Sequence, residues 1–360
     1  MAPCFLLTLG KSMKARPYLL SYSLFVLAWW AWNSSGWLTF LPLAYAFLLI
    51  PLVELIGKPD KHNGSEEEQA ARLADKRYDQ LLYAVVPLHL GSMAFFLYRL
   101  ASAPTVDDFT WWGWVSAMGI LNGVFGINVA HELGHRPKKH EQRMAQALLC
   151  SSLYMHFFIE HNRGHHRYVA TPEDPASARK WEPVYLFWIR SIVMSWWSAW
   201  KLEADRLRRQ KKPWLHLSNQ MLQFTLTELA VLAFVFVAGG TWLFFAFVMA
   251  ALMGIVLLET VNYIEHYGLR RKKVSAHRYE NVMPRHSWNS NHHMGRWMLF
   301  ELSRHSDHHH RPARKYQILE HHEDSPQMPT GYPGMMLISL LPPLFYAIVH
   351  PRLAKFASAQ

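Results

Sequence analysis

The stretch from Trp111 to His135, WWGWVSAMGILNGVFGINVAHELGH, runs for twenty residues without a charged side chain and then directly into two histidines spaced i, i+4. About twenty apolar residues are what a helix needs to cross the hydrocarbon layer of a bilayer. The i, i+4 spacing sets the imidazoles of His131 and His135 on one helical face, which is metal-ligand spacing. The sequence therefore predicts a membrane helix that ends in metal ligands.

Five further apolar runs, at 18–32, 37–56, 81–100, 222–238 and 242–264, approach the same length, the first and the 222–238 run a little short. With 111–130 they predict an all-α integral membrane protein of six transmembrane helices. Trp29, Trp30, Trp32, Trp37, Trp111, Trp112 and Trp242 stand at run ends, where an amphipathic ring prefers the interface. A last apolar stretch, 335–349, is broken by Pro342 and Pro343 and is expected to pack on the bundle or lie in the interface rather than span.

The chain has 360 residues, 51% of them hydrophobic, and a net charge of +11. In a polytopic protein that excess of basic residues reads as the positive-inside bias, not as a nucleic-acid surface. Segments 33–36, 101–110 and 239–241 carry no Lys or Arg, whereas Lys11, Lys14, Arg16, the 58–77 loop, 131–221 and everything after His266 hold nearly all of them. Both termini and the histidine-rich segments 131–221 and 266–360 are thus expected in the cytoplasm, as a helical cap of one membrane-embedded domain spanning 1–360. Arg99 is the exception, expected to snorkel outward. The loop 57–79, with a short solvated helix over 66–77, is assigned no chemistry. The N-terminus shows no cleavable signal pattern, so the first span is expected to be an uncleaved anchor. Cys4 and Cys150 are too few for a disulfide framework or a cysteine-ligated metal.

Of 22 histidines, all but His62 and His89 lie at or beyond His131. They fall into four groups: His131 and His135; His161, His165 and His166; His266, at the end of the 242–264 run; and His305, His308 and His309, which an α-helix would project from one face. Nine imidazoles exceed what one ion takes, so a di-metal site is expected. Imidazole suits iron, copper, nickel and zinc alike, so spacing does not name the metal. Glu132, Glu160, Glu265 and Asp307 adjoin these histidines and are expected to orient ligand rings from other segments through the ring N–H. A direct carboxylate ligand or bridge stays open. His140, His156, His216, His277, His286, His321, His322 and His350 are read as structural or solvated. His292, in the polar run Ser287–His292, is read as standing beside the site, and His310 has no evident target.

Two other classes compete. H-E-x-x-H is also the zinc-protease pattern, with Glu132 as base, but a catalytic zinc needs one more protein ligand and this chain offers many. A metal transporter would line a path through the bilayer with ligands, whereas these collect on one side.

Taken together and in order, HELGH with Arg136, EHNRGHH (160–166), TPEDPAS (171–177), NYIEHYGL (262–269), SWNSNH (287–292), LSRHSDHH (302–309) and PTGYPG (329–334) resemble the membrane-bound non-haem di-iron alkane 1-monooxygenases, within the membrane fatty-acid desaturase and hydroxylase superfamily. The resemblance implies two irons held by the nine histidines, with Asp174 and His292 among the residues behind the ligands. It implies insertion of one oxygen atom of O2 into the terminal methyl of an alkane, with electrons from NADH through a reductase and rubredoxin, in a bacterial inner membrane. Related enzymes that act on an aryl methyl or a lipid acyl chain remain alternatives. By the same resemblance Ala46 matches a position in the second span where bulk limits chain length. Two departures stand out. No fused rubredoxin, which would need four cysteines, follows the last helix, so a separate donor is expected; and Arg296 places a charge after SWNSNH where apolar residues are expected. Lys138, Lys139, Arg208, Arg209, Lys211, Lys212 and Arg270 to Lys273 either steer an acidic rubredoxin or only set topology.

Overall fold

The computed structural model describes residues 15–276 and 278–358; Cys4, Lys11, Lys14 and His277 lie outside them. The described residues are mostly helical, and the sheet among them is one small antiparallel pair, Lys273–Ser275 with Arg278–Tyr279. Among the described residues, four helical segments are long and apolar enough to cross a membrane: Gly36–Ile56, Arg77–Ala101, Asp108–Gly134 and Gln220–His266. Polar caps start two of them, the Asp107 carboxylate accepting from the Thr110 N–H at 3.0 Å and the Asn219 amide oxygen from the Leu222 N–H at 3.1 Å.

Asp108–Gly134 is the hub, 89% of its apolar window being buried against 33% for each of the two helices before it. Small residues on it and on Gln220–His266 let the two come close: an added Cβ at Gly254 would lie 2.6 Å from the Asn122 Cβ, and one at Gly119 2.6 Å from the Met253 Sδ. The first apolar run is helical over 16–31, a 3₁₀ stretch at Arg16–Tyr22 leading into the α-helix Ser23–Ala31. It is tied to the hub by the Trp32 indole, which donates to the Trp114 carbonyl at 3.0 Å, and by Phe25 stacked on Phe125 at 4.2 Å.

The two runs 222–238 and 242–264 are two helical arms of the segment Gln220–His266, which break at Gly239 (φ −150°) and Gly240 (φ 63°). A positive φ of that size is cheap only for glycine. Adjacent residues reach both arms: the Tyr154 hydroxyl donates to Glu259 at 2.7 Å and the Met155 N–H to Glu228 at 2.7 Å. In a straight helix those two carboxylates would stand about 46 Å apart. The arms therefore fold back on each other as a hairpin with the glycines at its tip, and both ends return to the histidine-bearing side.

The 335–349 stretch packs on the bundle as two helices, Tyr332–Ser339 and Pro342–Ser358, with Phe345 against Tyr263 and Tyr267. The Arg99 Nε donates to the Trp32 carbonyl at 2.9 Å and its guanidinium stacks over Trp114. Arg296 is buried in an ion-pair cluster, bonded to Asp60 at 2.7 Å and Glu301 at 2.6 Å, and so ties the 57–65 loop to the last third of the chain. Unexpected is Val184–Arg209, a 26-residue helix inside the segment 131–221 that buttresses the histidine groups.

Candidate metal centre

All nine sequence-selected histidines converge, and they divide into two nests. His131, His135, His161, His166 and His308 make one; His165, His266, His305 and His309 make the other, ring nitrogens within each lying no more than 4.8 Å apart. Nε2 atoms meet at 2.9 Å (His131 and His308), 3.1 Å (His135 and His161), 3.0 Å (His161 and His166) and 3.1 Å (His166 and His308) in the first nest, and at 3.2 Å (His266 and His305) in the second. Metal–imidazole bonds of about 2.1 Å at right angles would set neighbouring nitrogens about 3 Å apart, so the first nest has the dimensions of a ligand shell. In the second, His165 Nε2 and both nitrogens of His309 are buried without a protein partner. A buried orphan nitrogen is costly unless something binds it. The donor set fits two metal ions.

Helix phase explains the division. His161–His165 is a π-helical turn, in which residues five apart lie nearer one face than in an α-helix, and His161 shares its nest with His166 while His165 belongs to the other. In the α-helical turn His305–His310, His305 and His309 share a nest at i, i+4, and His308 enters the first. The expectation that His305, His308 and His309 act from one face is thus corrected: the turn lies between the nests and serves both.

Burial sets the protonation state. It depresses the pKa of His135 to about 3, with the charges of His165 and Arg136 adding to the effect. Burial and neighbouring rings hold His161, His166, His305, His308 and His309 well below the usual imidazole range. These rings are neutral at physiological pH, the form that ligates metal.

The carboxylates separate into those that touch ligands and those that do not. Asp174 Oδ2 lies 2.9 Å from His165 Nδ1 and fixes that ring, itself held by the Ser177 hydroxyl at 2.5 Å and the Ala176 N–H at 3.1 Å. Burial pushes the Asp174 carboxyl up, but His165 and Ser177 outweigh it and leave the group below its ordinary range. Glu265 Oε2 lies 3.1 Å from His305 Nε2, and its other oxygen accepts from the Tyr332 hydroxyl at 2.7 Å. Glu132, by contrast, is bonded to Arg136 and to the Tyr316 N–H, because an i, i+4 guanidinium captures it first. Asp307 is bonded to Arg314 at 3.0 Å, His322 at 2.8 Å and the Glu320 N–H at 3.0 Å, since its side chain leaves the helix on the face away from the nests. Glu160 has one buried oxygen without a partner, and His292 bonds the Ser290 hydroxyl at 3.0 Å. No hydrogen bond joins these last four to a ligand ring.

An apolar cavity lies in the bundle. Ala46 lines it with Leu24, Ile50, Ile120, Met298 and Tyr332, and so do Asn128 and Leu302, which stand three residues before His131 and His305 respectively. A second apolar groove, at Leu43, Trp188, Leu337 and Leu340, shares Phe47, Leu257 and Met336 with the first. Sequence reasoning did not find Tyr332, whose signal was its place in the PTGYPG segment.

The fatty acid desaturase family model matches residues 109–339. Alkane 1-monooxygenase 2 of Pseudomonas aeruginosa is 37% identical over 92% of this chain and 89% of its own length. Alkane 1-monooxygenase 1 of Alcanivorax borkumensis is 39% identical over 90% of this chain and 80% of its own. The xylene/toluene monooxygenase hydroxylase component of Pseudomonas putida is 32% identical over 66% of this chain and 63% of its own.

Proposed function

The chain belongs to the alkane 1-monooxygenases of the fatty acid desaturase family, enzymes of terminal alkane hydroxylation, and from that premise we propose how its residues carry the reaction. One alkane, one O2, two electrons and two protons give one 1-alkanol and one water. Two metal ions, iron in this reading, supply dioxygen binding and the redox capacity that a methyl group, which offers no acid–base handle, requires. His131, His135, His161, His166 and His308 would hold one; His165, His266, His305 and His309 would hold the other. Asp174 keeps the proton of His165 on Nδ1, so that Nε2 presents its lone pair. Tyr332 steers the Glu265 carboxylate to His305.

The substrate partitions into lipid by about 0.8 kcal/mol per methylene. In this reading it enters sideways from the groove at Leu337 and Leu340, passes Phe47, Leu257 and Met336, and lies along the Ala46 cavity with its terminal methyl near Asn128 and Leu302. The apolar walls exclude water. The chain crosses a bacterial inner membrane six times, the Gln220–His266 hairpin supplying two crossings and the short Arg16–Ala31 segment one. Both termini and the nests face the cytoplasm, and a separate rubredoxin, reduced by an NADH-dependent reductase, delivers the electrons.

The observation that carries this reading is the division of nine buried or half-buried imidazoles into nests of five and four beside an apolar cavity. A zinc protease needs a free Glu132, whereas Glu132 is tied to Arg136 and Tyr316. The test is metal analysis of the purified protein, followed by incubation with a medium-chain alkane, O2, NADH, rubredoxin and its reductase, with products read by gas chromatography. About two irons per chain and a 1-alkanol are expected. One zinc and no oxygen consumption would refute it.

A further inference from the structure

The helix Val184–Arg209 presents two unlike faces. Val184, Phe187, Ser191, Ser195, Ala199, Glu203 and Leu207 recur every three or four residues and are buried against the protein. The outer face is apolar over Ile189, Val193, Met194, Trp196 and Trp197, all exposed. It turns basic at Lys201, and Arg208, Arg209, Lys211 and Lys212 follow. The chain then returns with Trp214, Leu215 and Leu217, also exposed. An apolar stripe ending in a basic cluster, with tryptophans at the change, matches a helix lying in the headgroup region of a leaflet.

Within that face is a built groove. Trp196, Trp197, Trp200, Lys201 and Trp214 line it, with Ala204 and Asn219 behind. Trp200 packs against Trp196 and Trp214 at ring distances of 6.0 and 6.5 Å, and the Lys201 ammonium lies 5.8 Å from the Trp197 ring. The Trp200 indole N–H is buried and has no acceptor in the protein. The nearby carboxylates are already engaged: Glu203 accepts from Arg163, Arg206 and the Gln220 N–H, and Asp205 pairs with Arg208 at 2.9 Å. An unused cation and an unused N–H donor beside an indole-lined trough call for a group with an anionic oxygen head and an apolar tail.

We infer that this groove binds one anionic phospholipid, its acyl chain along the indoles and its phosphate at Lys201 and the Trp200 N–H. The site lies outside the metal nests, and its test does not depend on substrate or on electron donor. It has a structural link to them: Glu203, two residues after Lys201, clasps Arg163 in the π-helical turn that carries His161 and His165.

The experiment is native mass spectrometry of the delipidated full chain with equal phosphatidylglycerol and phosphatidylcholine. Phosphatidylglycerol adducts should exceed phosphatidylcholine several-fold. Lys201→Gln should lower that preference about fivefold, the increment of one basic side chain at an anionic surface. Trp200→Phe, which keeps a ring but loses the N–H, should lower it too, whereas the distant Lys272→Gln should leave it unchanged. Equal retention of the two lipids by the native chain would overturn the inference. So would a preference that survives both groove variants, one that falls as far in Lys272→Gln, or displacement of the lipid by inorganic phosphate. Unchanged melting temperatures of the variants show that folding is intact.

Discussion

Asp174→Asn changes one atom and should cost the enzyme its second metal. The carboxylate receives three donors: His165 Nδ1 at 2.9 Å and the Ser177 hydroxyl at 2.5 Å on one oxygen, and the Ala176 N–H at 3.1 Å on the other. An asparagine keeps the Ala176 bond by turning its carbonyl there, which aims its NH2 at His165. The ring then accepts at Nδ1, so its proton moves to Nε2, the nitrogen that should carry the metal bond. Removing a partner of this kind lowers metal affinity roughly 10- to 100-fold, about 1.4 to 2.7 kcal/mol. The loss should fall on the four-histidine nest alone, since no ring of the five-histidine nest touches Asp174. Iron titrated against purified protein should therefore show one site unchanged and one weakened by that factor, with 1-alkanol formation falling at least as far at limiting iron. Two sites of native affinity with native turnover would refute the assignment of Asp174 as the residue that sets the His165 tautomer.

Other perturbations test other parts of the molecule. Ala46→Trp should move the chain-length optimum toward shorter alkanes in competition assays, each excluded methylene costing about 0.8 kcal/mol or about fourfold in selectivity; an unchanged profile would remove Ala46 from the substrate path. Arg296→Met leaves Asp60 and Glu301 without their guanidinium and should destabilise by about 3 to 5 kcal/mol, read as a large drop in melting temperature. In chelator-stripped protein, the depressed pKa of His135 makes protonation favour the unfolded chain. Its contribution to stability is complete above the unfolded value near 6.5 and is lost as pH falls toward about 3, at roughly 1.4 kcal/mol per pH unit for each such ring. Melting temperature should thus fall steadily below pH 6.5, and a flat profile from pH 7 to 5 would contradict it.

Residue spacing alone picked out the nine histidines that converge in the two nests, because histidine is scarce in the first third of the chain and clusters at helix ends thereafter. It did not assign them to nests, since an α-helical phase was assumed for His161–His165, where the backbone is π-helical. Glu132 was expected to serve a ligand although Arg136 stands four residues on, a pairing visible in the sequence. Asp174 has no periodic signal, sitting in an irregular loop nine residues after His165, and only the resemblance marked it. The two runs around Gly239 and Gly240 were separable by composition, but their hairpin rests on Tyr154 and Met155, whose partners are 105 and 73 residues away.

Ala46 and His161 each sit in a π-helical turn, as does Asn122–Ile127 on the way to His131. Such a turn carries one residue more than the helix around it would need. Each is a place where length, not side-chain identity, sets function: deleting a single residue there would rotate everything on one side by about 100° relative to the other. In the His161–His165 turn that would send a ring meant for one ion toward the other without altering any histidine. Descendants of this chain can exchange cavity-lining residues freely to suit new alkanes, but they are held to a fixed residue count through these three turns.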